Sequence, residues 1–304
     1  MQRAYISKLL ELAEKDRGIL HILADSGTGY DEMFRLNFPD QIFNFGISEE
    51  HMVAAAAGMA TVGKIPFVYT AGAFLAYRSL EFIRDDICFQ NLNVKIVGMG
   101  SGLAWSSLGP THHTTEDVAM LRALPNLMIL SAATPTQVAA CVEKAYQHKG
   151  PVYIRIGMNN EKEFFARDYT LPASNDILTI GSDIAVYVTG SILEEATEAV
   201  NMLSELDISA TLIHVHTLKP FDEKSVLANA SKYKMLFTVE EHNIYGGLGS
   251  ILSEILACSG CGVKLHRIGL QDTFAVGYGT QKNVRAANGL DAEGIVRQIT
   301  EALQ

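Results

Sequence analysis

The stretch VKIVGMG, residues 94–100, is a short apolar run that ends in glycine, and PVYIRIG, residues 151–157, follows the same pattern. Both runs are apolar on both faces of an extended strand, as strands in a sheet covered by helices on both sides must be. Longer segments with helical periodicity separate such runs, for example Glu49–Thr61 and Ala73–Gln90. This alternation predicts an α/β fold with mostly parallel sheets.

The alternation is interrupted between residues 158 and 180, where the chain is polar, lacks a clear period and contains a proline. We interpret this segment as a linker between two domains. Residues 1–157 and 181–304 then each form a mostly parallel sheet flanked by helices, and the second ends in a helix over Ala292–Leu303. A length of 304 residues agrees with two domains of ordinary size.

Composition excludes several functional classes. The chain has 34 acidic and 24 basic residues, a formal charge of −10, which argues against a nucleic-acid-binding or anionic membrane surface. No apolar run is long enough to predict a transmembrane helix. Four cysteines are too few for a disulfide scaffold, so we expect a cytoplasmic protein. Cys258 and Cys261 form a single C-x-x-C without a second pair for zinc, and we interpret them as structural.

The segment FNFGISEEHMVAAAAGMA, residues 43–60, places Glu49 where a strand and a glycine turn lead into an alanine-rich helix. A carboxylate at this position is stabilised by the helix N-terminus. It also lies beyond the carboxyl end of a strand, where open α/β sheets place their chemistry. Glu49 is therefore either an ordinary helix-start residue or a functional carboxylate.

A second strand leads into Phe74 and Tyr77, which are three residues apart and share one helix face. These rings are either core aromatics or the wall of an apolar pocket for a flat heterocycle.

A third strand opens into a glycine-rich loop that carries His112 and His113. No helix starts directly behind these glycines, so the loop is not a dinucleotide fingerprint. A histidine at this strand end is either a solvated loop residue or a proton and hydrogen-bond partner. The run GGLGS, residues 246–250, permits anion binding at a helix start or only a tight turn.

Taken together and in order, these segments resemble the thiamine-diphosphate-dependent transketolase family, and the resemblance covers essentially the whole chain. It extends over the pyrimidine-binding domain and the C-terminal domain of that family. The similar segments are GISEEHMVAAAAGMA (residues 46–60), AFLAY (73–77), GPTHHTTEDVAMLRALPN (109–126) and EEHNIYGGLGS (240–250).

The resemblance implies cofactor contacts for individual residues. Glu49 matches the catalytic glutamate that contacts the ring nitrogen of the aminopyrimidine and favours its imino tautomer. Phe74 and Tyr77 match aromatic positions that sandwich this ring, and Leu80 stands at a third position that is aromatic in the family. Asp25 matches an acidic position beside the cofactor.

On the substrate side the chain departs from the family. His112 matches a catalytic histidine near the hydroxyl groups of the donor sugar. Leu108 replaces an aspartate that contacts a donor hydroxyl, and Met158 aligns with an arginine that binds the sugar phosphate. Arg155 and Arg3 could supply the missing charge. These departures argue against the standard phosphopentose specificity and leave open a nonstandard ketose, unphosphorylated or carrying another anion such as a sulfonate.

The resemblance also implies a missing partner. The family binds the diphosphate and Mg²⁺, or a similar divalent ion, through a G-D-G segment in a separate N-terminal domain, and this chain contains no G-D-G. We therefore expect the C-terminal subunit of a split transketolase, binding no metal itself, in an α₂β₂ assembly with an N-terminal subunit. The alternatives are the β subunit of a 2-oxo-acid dehydrogenase, a deoxyxylulose-phosphate synthase-like carboligase, and a noncatalytic regulatory subunit.

Overall fold

The computed structural model describes residues 1–26, 29, 31–158, 160–173 and 175–304. The chain divides into two compact units. The first contains Met1–Ser101 and Met120–Leu171, and the second contains Gly102–Ala119 and Pro172–Gln304. Among the residues that the structure describes, no helix has both the length and the apolar character needed to cross a membrane.

The first unit is built on a parallel sheet. Its strands lie in the order β5-β6-β4-β3-β1-β2, and each neighbouring pair is parallel. The strands are β1 (Ile19–Leu23), β2 (Ile42–Asn44), β3 (Ile65–Ala71), β4 (Lys95–Met99), β5 (Met128–Ser131) and β6 (Val152–Ile156). Every residue of β1, β4 and β6 is buried, as the apolar runs predicted.

Helices connect these strands. They are α1 (Gln2–Lys15), α2 (Asp31–Asn37), α3 (Glu49–Thr61), α4 (Gly72–Arg78), α5 (Leu80–Phe82), α6 (Asp117–Leu121) and α7 (Pro135–Gln147). The α6 helix spans the boundary between the two sets of residues. The alanine-rich α3 packs on β3 and buries Met52, Val53 and Ala56. Small side chains allow this close approach, which fixes the position of the first turn of α3.

The helix predicted over Ala73–Gln90 is interrupted in the structure. α4 ends at Arg78, α5 follows after Ser79, and a π-helical turn covers Ile83–Cys88. The N–H of Phe89 donates to the carbonyl of Arg84, a bond over five residues that is typical of a π turn. The prediction of one continuous helix is therefore wrong.

The second unit contains a mixed sheet in the order β12-β11-β8-β9-β7, in which only the pairing of β7 with β9 is antiparallel among the described residues. The five strands of this sheet are β7 (Asp176–Thr179), β8 (Ile184–Thr189), β9 (Ala210–His214), β11 (Met235–Asn243) and β12 (Lys264–Leu270), and the unit also contains the short strand β10 (Thr217–Lys219). Its helices are α8 (Leu193–Glu205), α9 (Glu223–Ala230), α10 (Leu248–Ser259), α11 (Gln281–Ala287) and α12 (Ala292–Leu303).

Four of these elements were not anticipated from the sequence: α2, β7, β10 and α11. β7 lies inside the segment that we interpreted as a linker. Its residues alternate between half-buried and exposed, and it lies at the edge of the sheet. A strand of four residues whose two apolar side chains, Ile177 and Leu178, are adjacent carries little of the alternating signal by which strands are predicted.

Candidate active site

Glu49 begins α3, directly after the turn that follows β2. Gly46 in this turn has a φ of 70°, a left-handed value that glycine adopts without steric cost. The side chain of Glu49 is only 2% exposed. Its position at the N-terminus of α3 stabilises a negative charge through the helix dipole. The fold thus buries a carboxylate at the point where the chain has left a strand of the parallel sheet.

The guanidinium of Arg78 pairs with this carboxylate. Nη1 of Arg78 donates a hydrogen bond to Oε2 of Glu49 at 3.0 Å. The central carbon of the same guanidinium lies 4.2 Å from the centre of the Phe74 ring. Arg78 follows Phe74 by four residues, so both side chains lie on one face of α4. We refer to Glu49, Phe74 and Arg78 as the Glu49 cluster.

Tyr77 and Leu80 continue the surface that Phe74 begins. All three side chains are half-buried, and they follow one another at intervals of three residues. Ser79, between α4 and α5, is completely buried, and its hydroxyl has no hydrogen-bond partner among the described residues. The predicted pocket residues therefore lie along one partly open face, beside the buried Glu49.

Asp25 lies at the same edge of the sheet. It follows the end of β1, which pairs in parallel with both β2 and β3, so the residues after these strands share one edge. Asp25 is exposed and has a φ of 49°, and its N–H donates to Oδ1 of Asn44 at 3.0 Å. The structure thus brings Asp25, Glu49 and Phe74 to one edge of the first unit.

His112 belongs to the second unit. Gly102 and Thr114 exchange two backbone hydrogen bonds, at 3.0 and 2.9 Å, which close the loop that carries His112. The half-buried ring of His112 contacts the Thr111 hydroxyl through Nδ1 at 2.9 Å. The neighbouring His113 is buried. Burial lowers the pKa of His113, and the negative charges of Glu241 and Glu116 oppose this change.

The predicted substrate residues of the first unit are not gathered at one point. Arg3 is exposed on α1, where it lines an open groove of about 1440 Å³ between α1 and α7. Neither Glu49 nor Phe74 lines this groove. Arg155 lies within β6 and is almost completely buried, whereas Met158 is half-buried just beyond that strand. Of these three side chains, only Arg3 is placed as an accessible cation.

The GGLGS segment begins α10, and its amide groups already have an acceptor. The N–H groups of Leu248 and Gly249 donate to the two carboxylate oxygens of Glu240, each at 2.7 Å. A side chain at Gly247 would overlap with this carboxylate, since a Cβ there would lie 2.0 Å from it. Between the two interpretations that the sequence left open, the structure favours a tight turn over anion binding.

The C-x-x-C residues show no metal site. Cys258 is exposed and Cys261 is half-buried, and none of the four cysteines forms a disulfide. Within the described ranges, no group of three or more His, Cys, Asp or Glu side chains is arranged to hold a metal ion.

Two further residues at the sheet edge that carries Asp25, Glu49 and Phe74 were not predicted from the sequence: Arg78 and Asn44. A cation four residues after an aromatic residue on a helix is a local signal that could have indicated the contact between Arg78 and Phe74. The pairing of Arg78 with Glu49 joins two different helices, and no spacing in the sequence reports it.

Comparison with known proteins identifies the family. Residues 1–161 match the family model for the transketolase pyrimidine-binding domain, and residues 175–295 match the model for the transketolase C-terminal domain. The chain belongs to the transketolase family. This membership confirms the predicted two-domain α/β architecture, and it implies thiamine diphosphate as the cofactor.

Relatives of similar length include separate transketolase subunits. The chain is 32% identical to an apulose-4-phosphate transketolase subunit of Actinobacillus succinogenes, over 96% of this chain and 94% of that protein. It is 33% identical to a putative transketolase C-terminal section of Methanocaldococcus jannaschii, over 100% and 96%. It is 32% identical to the 6-deoxy-6-sulfo-D-fructose transketolase subunit SqwH of a Clostridium species, over 100% and 94%.

Comparison with solved structures also finds transketolases. A split-gene transketolase, described as an inactive β4 tetramer, is 34% identical, has a TM-score of 0.89 and is covered to 97% by this chain. The transketolase of Campylobacter jejuni, 19% identical with a TM-score of 0.78, has the same fold, and the chain spans 45% of it. The prediction of a thiamine-diphosphate-dependent transketolase subunit of the split type is therefore confirmed.

Proposed function

We propose that this transketolase subunit combines with an N-terminal subunit, which binds the diphosphate and a divalent ion. The two subunits form an α₂β₂ complex. This complex transfers a two-carbon ketol unit from a ketose to an aldose. The names of the relatives support a partner, because they are called subunits or sections of transketolases. The related split-gene structure is described as an inactive β4 tetramer, which supports the need for a second kind of subunit.

The Glu49 cluster is the observation that carries this proposal. A planar cation there lies over the ring of Phe74 and donates an N–H group to the buried carboxylate of Glu49. An aminopyrimidine is also planar, and its protonated ring nitrogen is also an N–H donor. The cluster thus already holds a group with the shape and the hydrogen-bonding capacity of the pyrimidine end of thiamine diphosphate. The residues present fit the cofactor.

We assign the cofactor contacts accordingly. Thiamine diphosphate supplies the nucleophilic carbon that cleaves the bond next to the ketose carbonyl. Oε2 of Glu49 shares a proton with the pyrimidine ring nitrogen, in surroundings that exclude water. Phe74 and Tyr77 contact the faces of the ring, and Leu80 extends this apolar surface. Asp25 lies at the same sheet edge, and we assign its carboxylate to a contact with the cofactor.

We assign His112 to the substrate, as a partner for the hydroxyl groups of the donor sugar. Arg3, Arg155 and Met158 remain our proposals for the region that contacts the end of the sugar. Because Met158 lacks a charge and Arg155 is buried, a standard phosphate-binding site is not formed by these two residues. The relatives named for apulose 4-phosphate and for a sulfonated fructose support a nonstandard ketose donor.

We further propose domain boundaries and a location. The pyrimidine-binding domain covers residues 1–157, the linker residues 158–180, and the C-terminal domain residues 181–304. We propose that the enzyme works in the cytoplasm, because none of its four cysteines forms a disulfide, as a reducing compartment allows.

The test is reconstitution with the product of a neighbouring gene that encodes about 270 residues and a G-D-G segment. The two chains are co-purified and supplied with thiamine diphosphate and Mg²⁺, and ketol transfer is measured with phosphorylated, free and sulfonated ketoses. We expect transfer only when both chains are present. Decarboxylation of pyruvate, or transfer from a 2-oxo acid to a lipoyl group, would replace the transketolase assignment with one of its alternatives. Full activity of either chain alone would refute the split site.

A further inference from the structure

Arg78 occupies both contacts that the proposed function assigns to the pyrimidine ring. Its Nη1 lies 3.0 Å from Oε2 of Glu49, and its guanidinium carbon lies 4.2 Å from the centre of the Phe74 ring. A pyrimidine ring cannot lie on the same face of Phe74 and donate to the same oxygen while the guanidinium remains there. The two groups therefore compete for one place.

The two members of the ion pair differ in their freedom to move. The side chain of Glu49 is 2% exposed, whereas that of Arg78 is 44% exposed. Arg78 is the last residue of α4, directly before the break at Ser79. A long side chain at a helix end, nearly half in solvent, can rotate outward without disturbing the core. The carboxylate that it leaves has no such freedom.

We propose that Arg78 is a displaceable placeholder for the pyrimidine ring. In the absence of cofactor its guanidinium neutralises the buried carboxylate of Glu49 and covers the Phe74 ring. On cofactor binding the side chain swings out, and the aminopyrimidine takes over both contacts. Arg78 is then a positioning residue that keeps the pocket formed and lowers the affinity for the cofactor, because only the fraction of molecules with Arg78 displaced can bind. This inference rests on the proposed function of the Glu49 cluster.

The inference predicts a gain in affinity on removal of the cation. Arg78→Met keeps an unbranched, flexible side chain but can neither pair with Glu49 nor compete for the Phe74 ring as a planar cation. The dissociation constant of thiamine diphosphate with Mg²⁺, measured by calorimetry on the reconstituted two-subunit complex, is expected to fall by about 5- to 10-fold. A residue with only a structural role would give the opposite result, since its loss would weaken binding.

Two further variants sharpen the test. Arg78→Lys retains the charge but not the planar group, so we expect a dissociation constant between those of the wild type and Arg78→Met. Arg84→Met removes an exposed arginine of the following π turn, which pairs with Asp85, and should leave the affinity unchanged.

Thiamine, which lacks the diphosphate, serves as a second probe. Its affinity should rise by the same factor, because the displaced contacts involve only the pyrimidine end.

The outcomes separate the two proposals. Tighter binding of both probes by Arg78→Met, with Arg84→Met unchanged, supports the placeholder. Equal or weaker binding by Arg78→Met overturns it and leaves the proposed function intact. If the wild-type complex transfers no ketol unit and binds neither probe, the proposed function itself is wrong.

Discussion

Glu49 and Arg78 form an ion pair in which the fold fixes one partner and exposes the other. The carboxylate is 2% exposed and the guanidinium 44% exposed, at a distance of 3.0 Å. A neutral residue at position 49 removes the buried charge and leaves only the guanidinium unpaired, and water can hydrate that group, so no buried charge remains uncompensated. Substitutions at Glu49 should therefore affect chemistry far more than stability.

Glu49→Gln tests this expectation. Glutamine keeps the shape of the side chain, but its amide cannot hold the proton that Oε2 shares with the cofactor. We expect the reconstituted complex to assemble normally and its kcat to fall by about 100-fold or more, the scale of a lost acid–base group. Steady-state assays and analytical ultracentrifugation measure the two effects. Glu50→Gln, in the same helical turn, is the control. Turnover near the wild-type rate would remove Glu49 from the mechanism.

Phe74→Leu tests the aromatic contact. Leucine preserves an apolar surface but removes the ring face over which Arg78 now lies. Stacking of aromatic rings contributes about 0.5–1.5 kcal/mol beyond burial, so the affinity for thiamine diphosphate should fall by about 2- to 12-fold. Phe89→Leu changes the same residue type at an 85% exposed position and should have no effect on affinity. If both variants bind the cofactor as the wild type does, Phe74 does not contact the ring.

The sequence predicted those elements whose signals are local. α3 and α12 begin and end at the predicted residues. For α12 the signals are an Asp291 side chain that accepts from the N–H of Gly294 and an apolar periodicity that continues to the helix end, and for α3 they are the two acidic residues of its first turn and the alanine-rich run that follows. The edge strand β7 was missed because only one of its faces is partly buried. The break between α4 and α5 was missed because the apolar pattern continues across it, whereas the hydrogen-bond register does not.

The candidate site was predictable only in part, because some of its contacts join residues that are far apart in the sequence. Glu49, Phe74 and Tyr77 occur in recognisable segments at the ends of strands, and their types suggested a carboxylate beside an apolar pocket. The partner of Glu49 was not predictable, because Arg78 lies 29 residues away on another helix. Arg155 was predicted as a possible source of charge near the substrate, and its almost complete burial within β6 could not be predicted. Burial of this kind depends on tertiary packing.

Acidification should destabilise the second unit through His216. Its ring is buried next to His214 and within 4.0 Å of Asp176. Burial lowers the pKa of His216 from 6.5 to about 4, although Asp176 opposes this change. In the unfolded chain the ring takes up a proton near pH 6.5, whereas the folded chain resists it until about pH 4. Stability is therefore complete above pH 6.5 and falls as the pH drops towards 4, by up to about 1.4 kcal/mol per pH unit.

The measurement for His216 is urea unfolding between pH 7.5 and 4.5. His216→Gln replaces the titrating ring with a neutral amide and should make the dependence of the unfolding free energy on pH less steep, leaving the part that comes from His214, whose pKa burial also lowers. His51→Gln, an exposed histidine on α3, should leave that dependence as it is in the wild type. An equally steep loss of stability in His216→Gln would assign the acid sensitivity to other groups.

Arg285→Met should strongly destabilise the second unit. The buried guanidinium donates to Glu241 at 2.6 Å and to Glu195 at 3.4 Å, and its loss leaves two buried carboxylates without their cation. Breaking such a network costs about 3–5 kcal/mol, whereas the exposed Arg297→Met should change stability by less than about 0.5 kcal/mol.

Burial raises the pKa of Glu195 even with Arg285 present. The freed carboxylates can therefore take up protons, and the deficit of Arg285→Met should be smaller at pH 5 than at pH 7.5. A deficit that does not change with pH would point to lost packing, and no deficit would mean that the network contributes nothing to folding.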